Sequence, residues 1–226
     1  ETGLRFVPDE SSENGVRQQN MIAGVISGNR VDEHWDVEKA ATDFYDVKSD
    51  VEALLSLTCD VDAFEFSKAE ISALHPGQSA EILTAEGEKI GVMGMLHPTL
   101  EKQLGFDTQV FLFELDQDLV TKKQLPVFEA LSKFPSVRRD MALLIEEKVT
   151  ATEIIDCIHS CKEAIIKDVL VFDIYRGDGV DEGFKSVALS LILQDFTQTL
   201  TDSEIDAIFS MVLDKLNSTI NAKLRD

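Results

Sequence analysis

The sequence is poor in the residues that several large protein classes require. Its 226 residues include three cysteines, one tryptophan and two tyrosines. Three cysteines do not predict a disulfide scaffold, and a reducing cytoplasm is the simplest compartment. No apolar run reaches the roughly 20 residues of a membrane-spanning helix. The first residues also lack the charged and apolar segments of a secretory signal, so we expect a cytoplasmic protein without a membrane partner.

Positive charge is scarce as well. The chain has 21 Lys and Arg against 42 Asp and Glu, a net charge of −21. Non-specific nucleic-acid binding requires many cations that neutralise phosphates, so the composition excludes a bulk polyanion-binding role. The deficit is uneven, with a net charge of −15 over residues 1–131 and −6 over residues 132–226. Any contact with RNA is therefore expected in the second region, and it must be local.

The first region, residues 1–125, reads as strands with few helices, which predicts an antiparallel sheet in an α+β domain. Apolar residues at three- and four-residue spacing predict one acidic helix over residues 43–60. Its charged side is typical of a solvated face, although a partner-facing role stays open. Strands are predicted at residues 1–8, 21–26, 63–67, 79–84, 89–96 and 110–115. Residues 126–131 are predicted to link this region to the second.

The second region, residues 132–226, has a clearer pattern. Two capping boxes, Thr150 with Glu153 and Thr201 with Glu204, predict the starts of two helices. Strands are predicted at residues 134–145, 167–175 and 185–194, and a short last strand at 222–225. The order βαββαβ is that of a ferredoxin-like fold, in which both helices cover one sheet face and the other stays open.

Alternation along the predicted strands assigns side chains to the two faces of this sheet. In the third strand Val187, Leu189, Leu191 and Leu193 are predicted to face the helices. Ser186, Ala188, Ser190, Ile192 and Gln194 are then predicted on the open face. In the second strand the prediction places Leu170, Phe172 and Ile174 inward and Asp173 and Tyr175 outward. Tyr175 could stack on RNA bases, or it could merely cover a sheet edge.

No catalytic or metal-binding pattern stands out in the sequence. The four histidines (His34, His75, His97 and His159) lack the paired spacing that a zinc site uses. Cys157 and Cys161 lie four residues apart on a predicted helix, where packing explains them better than a metal or redox pair. Ser160 adjoins His159, and neighbouring helix residues do not face each other. We therefore predict no catalytic residue, no metal site and no cofactor of the fragment itself.

Short segments in a shared order give the chain a resemblance to a known family. In the first region they are 3–8 (GLRFVP), 24–30 (GVISGNR) with His34-Trp35, 43–48 (DFYDVK), 74–80 (LHPGQSA) and 91–98 (GVMGMLHP). In the second they are 134–140 (FPSVRRD), 171–177 (VFDIYRG), Lys185-Ser186, 189–195 (LSLILQD) and Thr199-Leu200-Thr201. In this order and spacing they resemble the C-terminal part of the β subunit of bacterial phenylalanine–tRNA ligase.

The resemblance implies a division of labour. The first region would be part of a class II synthetase-like core, truncated and non-catalytic, that packs against the catalytic α subunit. The second would be the ferredoxin-fold anticodon-binding domain that contacts tRNA(Phe). The whole enzyme, an (αβ)₂ assembly, would use ATP and Mg²⁺ to load phenylalanine onto its tRNA. The resemblance also implies that the family's editing domain lies earlier in the full subunit, outside this chain.

Seven residues are predicted to contact RNA, from the predicted open face, the loop after the second strand and the scarcity of other cations. They are Arg138, Arg139, Tyr175, Arg176 and Lys185, with Ser190 and Gln194 as weaker candidates. Arg138 and Arg139 are consecutive on a strand and therefore point to opposite faces, so only one of them can lie on the open face. Two other functions stay open: a protein-interaction scaffold whose second domain does not bind RNA, and a small-molecule enzyme, for which no motif is present.

Overall fold

The computed structural model describes residues 1–58, 63–122, 128, 130–161 and 163–225. The chain divides into two compact units, Glu1–Val127 and Phe128–Asp226. The predicted linker at residues 126–131 lies in part outside the described residues, so it stays a prediction. Cys59 lies outside them too. Among the described helices, none has the length and apolarity needed to cross a bilayer.

The first unit is built on a six-stranded antiparallel sheet. The strands are β1 (Thr2–Pro8), β2 (Val16–Ser27), β3 (Phe64–Lys68), β4 (Leu74–Thr84), β5 (Lys89–Leu96) and β6 (Val110–Asp116). Their spatial order is β1-β2-β6-β5-β4-β3. β2 and β4 begin earlier than predicted, because polar and glycine-containing stretches also join the ladder. The helices are α1 (Phe44–Leu55), α2 (Pro98–Leu104) and α3 (Gln117–Val120).

Helix α1 covers the middle of one face of this sheet. It starts at Asp43, whose carboxylate accepts hydrogen bonds from the backbone N–H groups of Tyr45 and Asp46. Its buried residues Val47, Val51 and Leu55 belong to a core cluster with residues of the central strands, among them Met93, Phe111, Phe113 and Leu115. The helix ends at Leu55, earlier than the predicted residue 60, because the backbone turns at residues 56–58. Residues 59 and 60 lie outside the described part of the chain.

The second unit confirms the predicted βαββαβ order. Its elements are β7 (Val137–Glu146), α4 (Ala151–His159), β8 (Ile166–Tyr175), β9 (Phe184–Leu193), α5 (Asp202–Ile220) and β10 (Lys223–Leu224). The strands form a four-stranded antiparallel sheet in the order β10-β7-β9-β8. This is the strand arrangement of a ferredoxin-like fold. The fold class, α+β with an antiparallel sheet in each unit, is therefore confirmed.

Both predicted capping boxes are formed. Thr150 accepts from the backbone N–H of Glu153, and the Glu153 carboxylate accepts from the backbone N–H of Thr150. Thr201 and Glu204 form the same pair at the start of α5. Both helices then pack on one sheet face, where the core includes Ile154, Ile158, Ile205, Val212, Leu216, Leu189 and Leu191. Cys157 is buried in this core, and burial raises the pKa of the neighbouring Cys161 thiol.

The prediction for the faces of β8 is wrong in part. The register of β8 against β9 shifts between Val171 and Asp173, which marks a β-bulge. A bulge adds one residue to a strand and so changes which side chains face the core. Val169 is buried opposite Leu191, whereas Leu170 and Phe172 are each 48% exposed. Leu170 and Phe172, two of the three side chains predicted to face the helices, therefore lie away from the core, whereas Ile174 lies opposite the core residue Val187, as predicted.

Candidate nucleic-acid interface

The helices leave one face of the second sheet uncovered. Small side chains lie along the middle of this open face. Register places Ser186, Ala188 and Ser190 of β9 here, opposite Leu144, Ala142 and Asp140 of β7. Ser190 is fully buried and Ser186 nearly so, although neither faces the helices. Longer side chains on the neighbouring strands cover them. The surface that a ligand meets is therefore built chiefly from β7, β8 and β10.

Aromatic and apolar side chains form the β8 part of this open face, together with the carboxylates of Asp168 and Asp173. Leu170 lies opposite Ser190, and Tyr175 lies opposite Ser186, as predicted for Tyr175. Phe172, the bulge residue, contacts Arg138 of β7, whose guanidinium carbon is 5.3 Å from the ring centroid. Tyr175 is 40% exposed. Exposed rings on an open sheet are the feature on which RNA-binding sheets stack bases.

Arg138 is the arginine of the predicted pair that lies on the open face. Its Nε donates to Asp140 Oδ1 at 2.7 Å, and Ser190 Oγ donates to the same oxygen at 2.7 Å. These hydrogen bonds, from Arg138 first and Ser190 second, hold the pKa of Asp140 below its ordinary value. Ser190 is thus a buried support for the carboxylate that orients Arg138. A direct contact of Ser190 with RNA would require this cover to open.

Two of the predicted cations lie on the helix side of the sheet. Arg139 is opposite Leu191, and its Nη2 is 3.9 Å from Asp202 Oδ1 at the start of α5. Lys185 is opposite Ile145 and is 8% exposed, and its ammonium group donates to the carbonyl oxygen of Glu147 at 2.9 Å. The predicted alternation of β9 already implied the helix side for Lys185, because Lys185 lies two residues before Val187 and so points to the same face. These positions do not support the predicted RNA contacts of Arg139 and Lys185.

Arg176 and Gln194 lie at the ends of their strands. Arg176 Nη2 donates to Glu147 Oε1 at 2.7 Å, and this contact holds the pKa of Glu147 below its ordinary value. Gln194 Nε2 donates to the carbonyl oxygen of Phe134 at 2.7 Å, so it anchors the segment before β7. Arg176 is exposed on the loop after Tyr175, where it remains compatible with a ligand contact.

Sequence reasoning missed the residues that β10 contributes. The backbone N–H of Arg225 donates to the carbonyl oxygen of Ala142, and Lys223 lies opposite Leu144, so both follow the open-face register of β7. The guanidinium carbon of Arg225 lies 5.0 Å from the ring centroid of Tyr175. The side chains of Arg225 and Tyr175, which come from opposite edges of the sheet, therefore meet over the small residues of β9. Applying the ferredoxin strand order to the predicted last strand would have placed Lys223 and Arg225 beside β7, but not in contact with Tyr175.

The described part of the chain contains no group of three or more His, Cys, Asp or Glu residues arranged to hold a metal ion. In the first unit, Arg5 is engaged by Glu114 at 2.7 Å, and Arg30 by Asp46 at 2.8 Å. Neither arginine stands with a nucleophile and a base in hydrogen-bond reach. The open face of the second unit brings exposed rings and arginine side chains together on one uncovered surface.

Family comparisons agree with this geometry. Residues 1–117 match the model described as "Phenylalanyl tRNA synthetase beta chain CLM domain". Residues 132–225 match the "Ferredoxin-fold anticodon binding domain". The chain belongs to the phenylalanyl-tRNA synthetase β-chain family. The second match covers the whole four-stranded sheet of the second unit, including Arg225 at its last residue.

Curated relatives in this family match over the full chain. The "Phenylalanine--tRNA ligase beta subunit" of Colwellia psychrerythraea is 53% identical over 226 residues. The proteins of the same name from Idiomarina loihiensis and Shewanella oneidensis are 46% and 45% identical. In each case all of this chain is covered, but only 28% of the relative. The chain therefore spans little more than a quarter of the length of these β-chain relatives.

Proposed function

We propose that the second unit recognises the anticodon region of tRNA(Phe) through the open face of its sheet. The observation that carries this proposal is the pairing of exposed rings with cations on one uncovered surface. Phe172 and Tyr175 offer ring faces, and Arg138 and Arg225 lie against those faces. Bases can stack on such rings, and arginine can both stack and bind phosphate in a fork. The match to an anticodon-binding domain family supports the same assignment.

The first unit has a different proposed role. We assign it to a non-catalytic scaffold that binds the α subunit of phenylalanine–tRNA ligase in an (αβ)₂ assembly. In the whole enzyme, ATP and Mg²⁺ would drive the charging of tRNA with phenylalanine. The support is the match to the β-chain family together with the paired state of Arg5 and Arg30, which engage carboxylates of their own unit. Cytoplasmic location follows from this role.

A pure scaffold is the rival for the second unit. Residues 132–226 carry a net charge of −6, and Arg138 and Arg176 each engage a carboxylate of the same unit. Both facts lower the attraction for a polyanion. A scaffold would bind its protein partner and show no preference among RNA sequences.

The deciding experiment is a titration of the chain with the tRNA(Phe) anticodon stem-loop at low salt. A stem-loop of the same length with a changed anticodon is titrated in parallel. We expect tighter binding of the cognate loop, and Tyr175→Ala should weaken it by about 1–3 kcal/mol, the range for loss of one base–aromatic stack. Tyr45→Ala is the matched control, because Tyr45 is the other tyrosine of the chain and lies exposed in the first unit.

Equal binding of the two loops, or equal loss in both tyrosine variants, would contradict recognition by the open face. Binding to the α subunit without any RNA binding would favour the scaffold. The α-subunit assay uses the same protein samples, so a failed RNA titration can be told apart from an unfolded chain.

A further inference from the structure

A groove runs along one side of α1 in the first unit, between this helix and β2. It consists of two adjoining cavities, one of about 300 Å³ at the start of the helix and one of about 480 Å³ farther along. Ile26 and Asp50 line both cavities, so the two form one continuous surface. We call this surface the α1 groove. The RNA-recognition proposal does not involve it.

The start of the groove is acidic. Asp43, Asp46 and Asp50 line it against a single cation, Arg30, which engages Asp46 at 2.8 Å. The carboxylate of Asp43 caps the first N–H groups of the helix and so occupies the position where an anion would bind. In the described part of the chain, the carboxylate of Asp50 has no hydrogen bond or ion pair. The local charge therefore favours a cation.

A buried hydroxyl at the same end lacks a partner. Thr42 lines the first cavity and is 3% exposed, and its Oγ1 has no hydrogen-bond partner among the described residues. A hydroxyl buried without a hydrogen bond costs about 1–3 kcal/mol, so native structures rarely leave one unmatched. This oxygen can accept a hydrogen bond from a ligand that carries several N–H donors. Its position and the acidic wall thus point to the same kind of ligand.

The far end of the groove is apolar. Leu54 and Leu57 are exposed, Leu57 to 74%, although both are leucines. They face a wall that includes Gly24 and Phe113. Because Gly24 has no side chain, the ring of Phe113 comes within 2.4 Å of where a Cβ would stand. The Phe113 ring thus occupies the space that a side chain at residue 24 would take, and exposed leucines beside such a cavity are typical of a protein-binding surface.

We infer that the α1 groove binds a segment of a partner protein that carries an arginine or lysine next to apolar side chains. The basic group would enter the acidic end, and the apolar side chains would cover Leu54 and Leu57. Leu54 lies about 6 Å from Asp50 along α1, at about 1.5 Å per residue, and Leu57 follows just after the helix ends. A helical partner would therefore place its basic residue one to two turns from its apolar residues. The net charge of −15 over residues 1–131 favours binding of a basic partner and disfavours binding of nucleic acid.

Short peptides test this inference on the whole chain. The probes are two alanine-based helical peptides, each with two leucines and with an arginine two turns before or after them. In the control peptides glutamine replaces the arginine. Binding is followed by ¹H–¹⁵N NMR, with the amide signals of Thr42, Asp50, Leu54 and Leu57 as reporters. We expect one arginine peptide to shift these signals saturably and its glutamine control to bind roughly threefold to fivefold more weakly.

Two variants assign the effect to the groove. Asp50→Asn should remove the difference between the arginine and glutamine peptides, and Leu57→Ala should weaken both. Asp156→Asn, an exposed change on α4 of the second unit, should leave both affinities unchanged. The inference is overturned if neither arginine peptide binds, if arginine and glutamine peptides bind equally, or if Asp50→Asn has no effect. Amide signals of the first unit away from the groove should stay unchanged in Asp50→Asn and Leu57→Ala, so a general loss of these signals would identify misfolding.

Discussion

At the scale of single residues, two lysines of the second unit have opposite surroundings. Lys185 is buried on the helix side and donates to the carbonyl oxygen of Glu147, whereas Lys223 is exposed on the open face. Lys185→Met would leave that carbonyl oxygen without its charged donor. We expect the free energy of unfolding in urea to fall by about 1–2 kcal/mol and the stem-loop affinity to stay the same.

Lys223→Met is the matched comparison for Lys185→Met. It should reduce stem-loop affinity and barely change the free energy of unfolding, because Lys223 lies at the surface on a two-residue strand. If Lys185→Met weakens RNA binding more than Lys223→Met does, the result would contradict RNA binding on the open face of the sheet.

A glycine in β2 gives a second prediction at this scale. A Cβ at Gly24 would lie 2.4 Å from Cε1 of the Phe113 ring, which is itself 7% exposed. Because the buried ring has little room to move, Gly24→Ala should lower the free energy of unfolding of the first unit by about 1–3 kcal/mol. Gly3→Ala, on the neighbouring strand with open space around it, should change it by less than about 0.5 kcal/mol. If both substitutions change the free energy of unfolding in urea equally, the clash with the Phe113 ring is not the cause.

At the scale of elements, sequence pattern predicted order and type better than faces. The βαββαβ order followed from two capping boxes and clear alternation in β9, all of which are local signals. The faces of β8 depended on a bulge at Phe172, which no turn residue or glycine marks in the sequence. For the same reason two candidates for the open face, Leu170 and Phe172, were missed. A bulge is set by how two strands fit together, and that fit is not a local property.

The capping box of α5 predicts a pH dependence. The backbone N–H and hydroxyl of Thr201 hold the pKa of Glu204 below its ordinary value of 4.5. The folded chain thus binds this proton less tightly than the unfolded chain does. The stabilisation is therefore complete above the ordinary pKa and is lost as the pH falls through the lowered one. Glu204→Gln should reduce the melting temperature at pH 7, and the difference from the parent chain should shrink below about pH 4.

Thermal unfolding of the second unit at pH 7 and pH 3 measures this effect. Glu182→Gln, in the exposed loop between β8 and β9, is the control and should change neither value. A Glu204→Gln difference that is constant across the pH range would show that the charge of Glu204 does not contribute through its cap.

At the scale of the whole molecule, the sequence predicted that positive charge is scarce, and the structure shows where the cations of the second unit lie. A net charge of −21 excludes a broad basic surface. The open face gathers Arg138 of β7 with Lys223 and Arg225 from the C-terminal segment beside it, while register also places four carboxylates on this face, Asp140, Glu146, Asp168 and Asp173. Pairing of β10 with β7 is a long-range contact, so the grouping of these cations was not visible from local pattern.

This grouping predicts a shallow salt dependence of RNA binding. For single-stranded RNA, log K falls with log salt with a slope of about −0.7 for each phosphate neutralised. With Arg138, Lys223 and Arg225 as the contacts, the slope should be roughly −2, and Arg225→Gln should make it about 0.7 shallower. Stem-loop titrations at several salt concentrations measure both values, with Lys39→Gln in the first unit as a control of equal charge change. A slope near −5 would require cations beyond the open face, whereas an unchanged slope in Arg225→Gln would remove Arg225 from the contact.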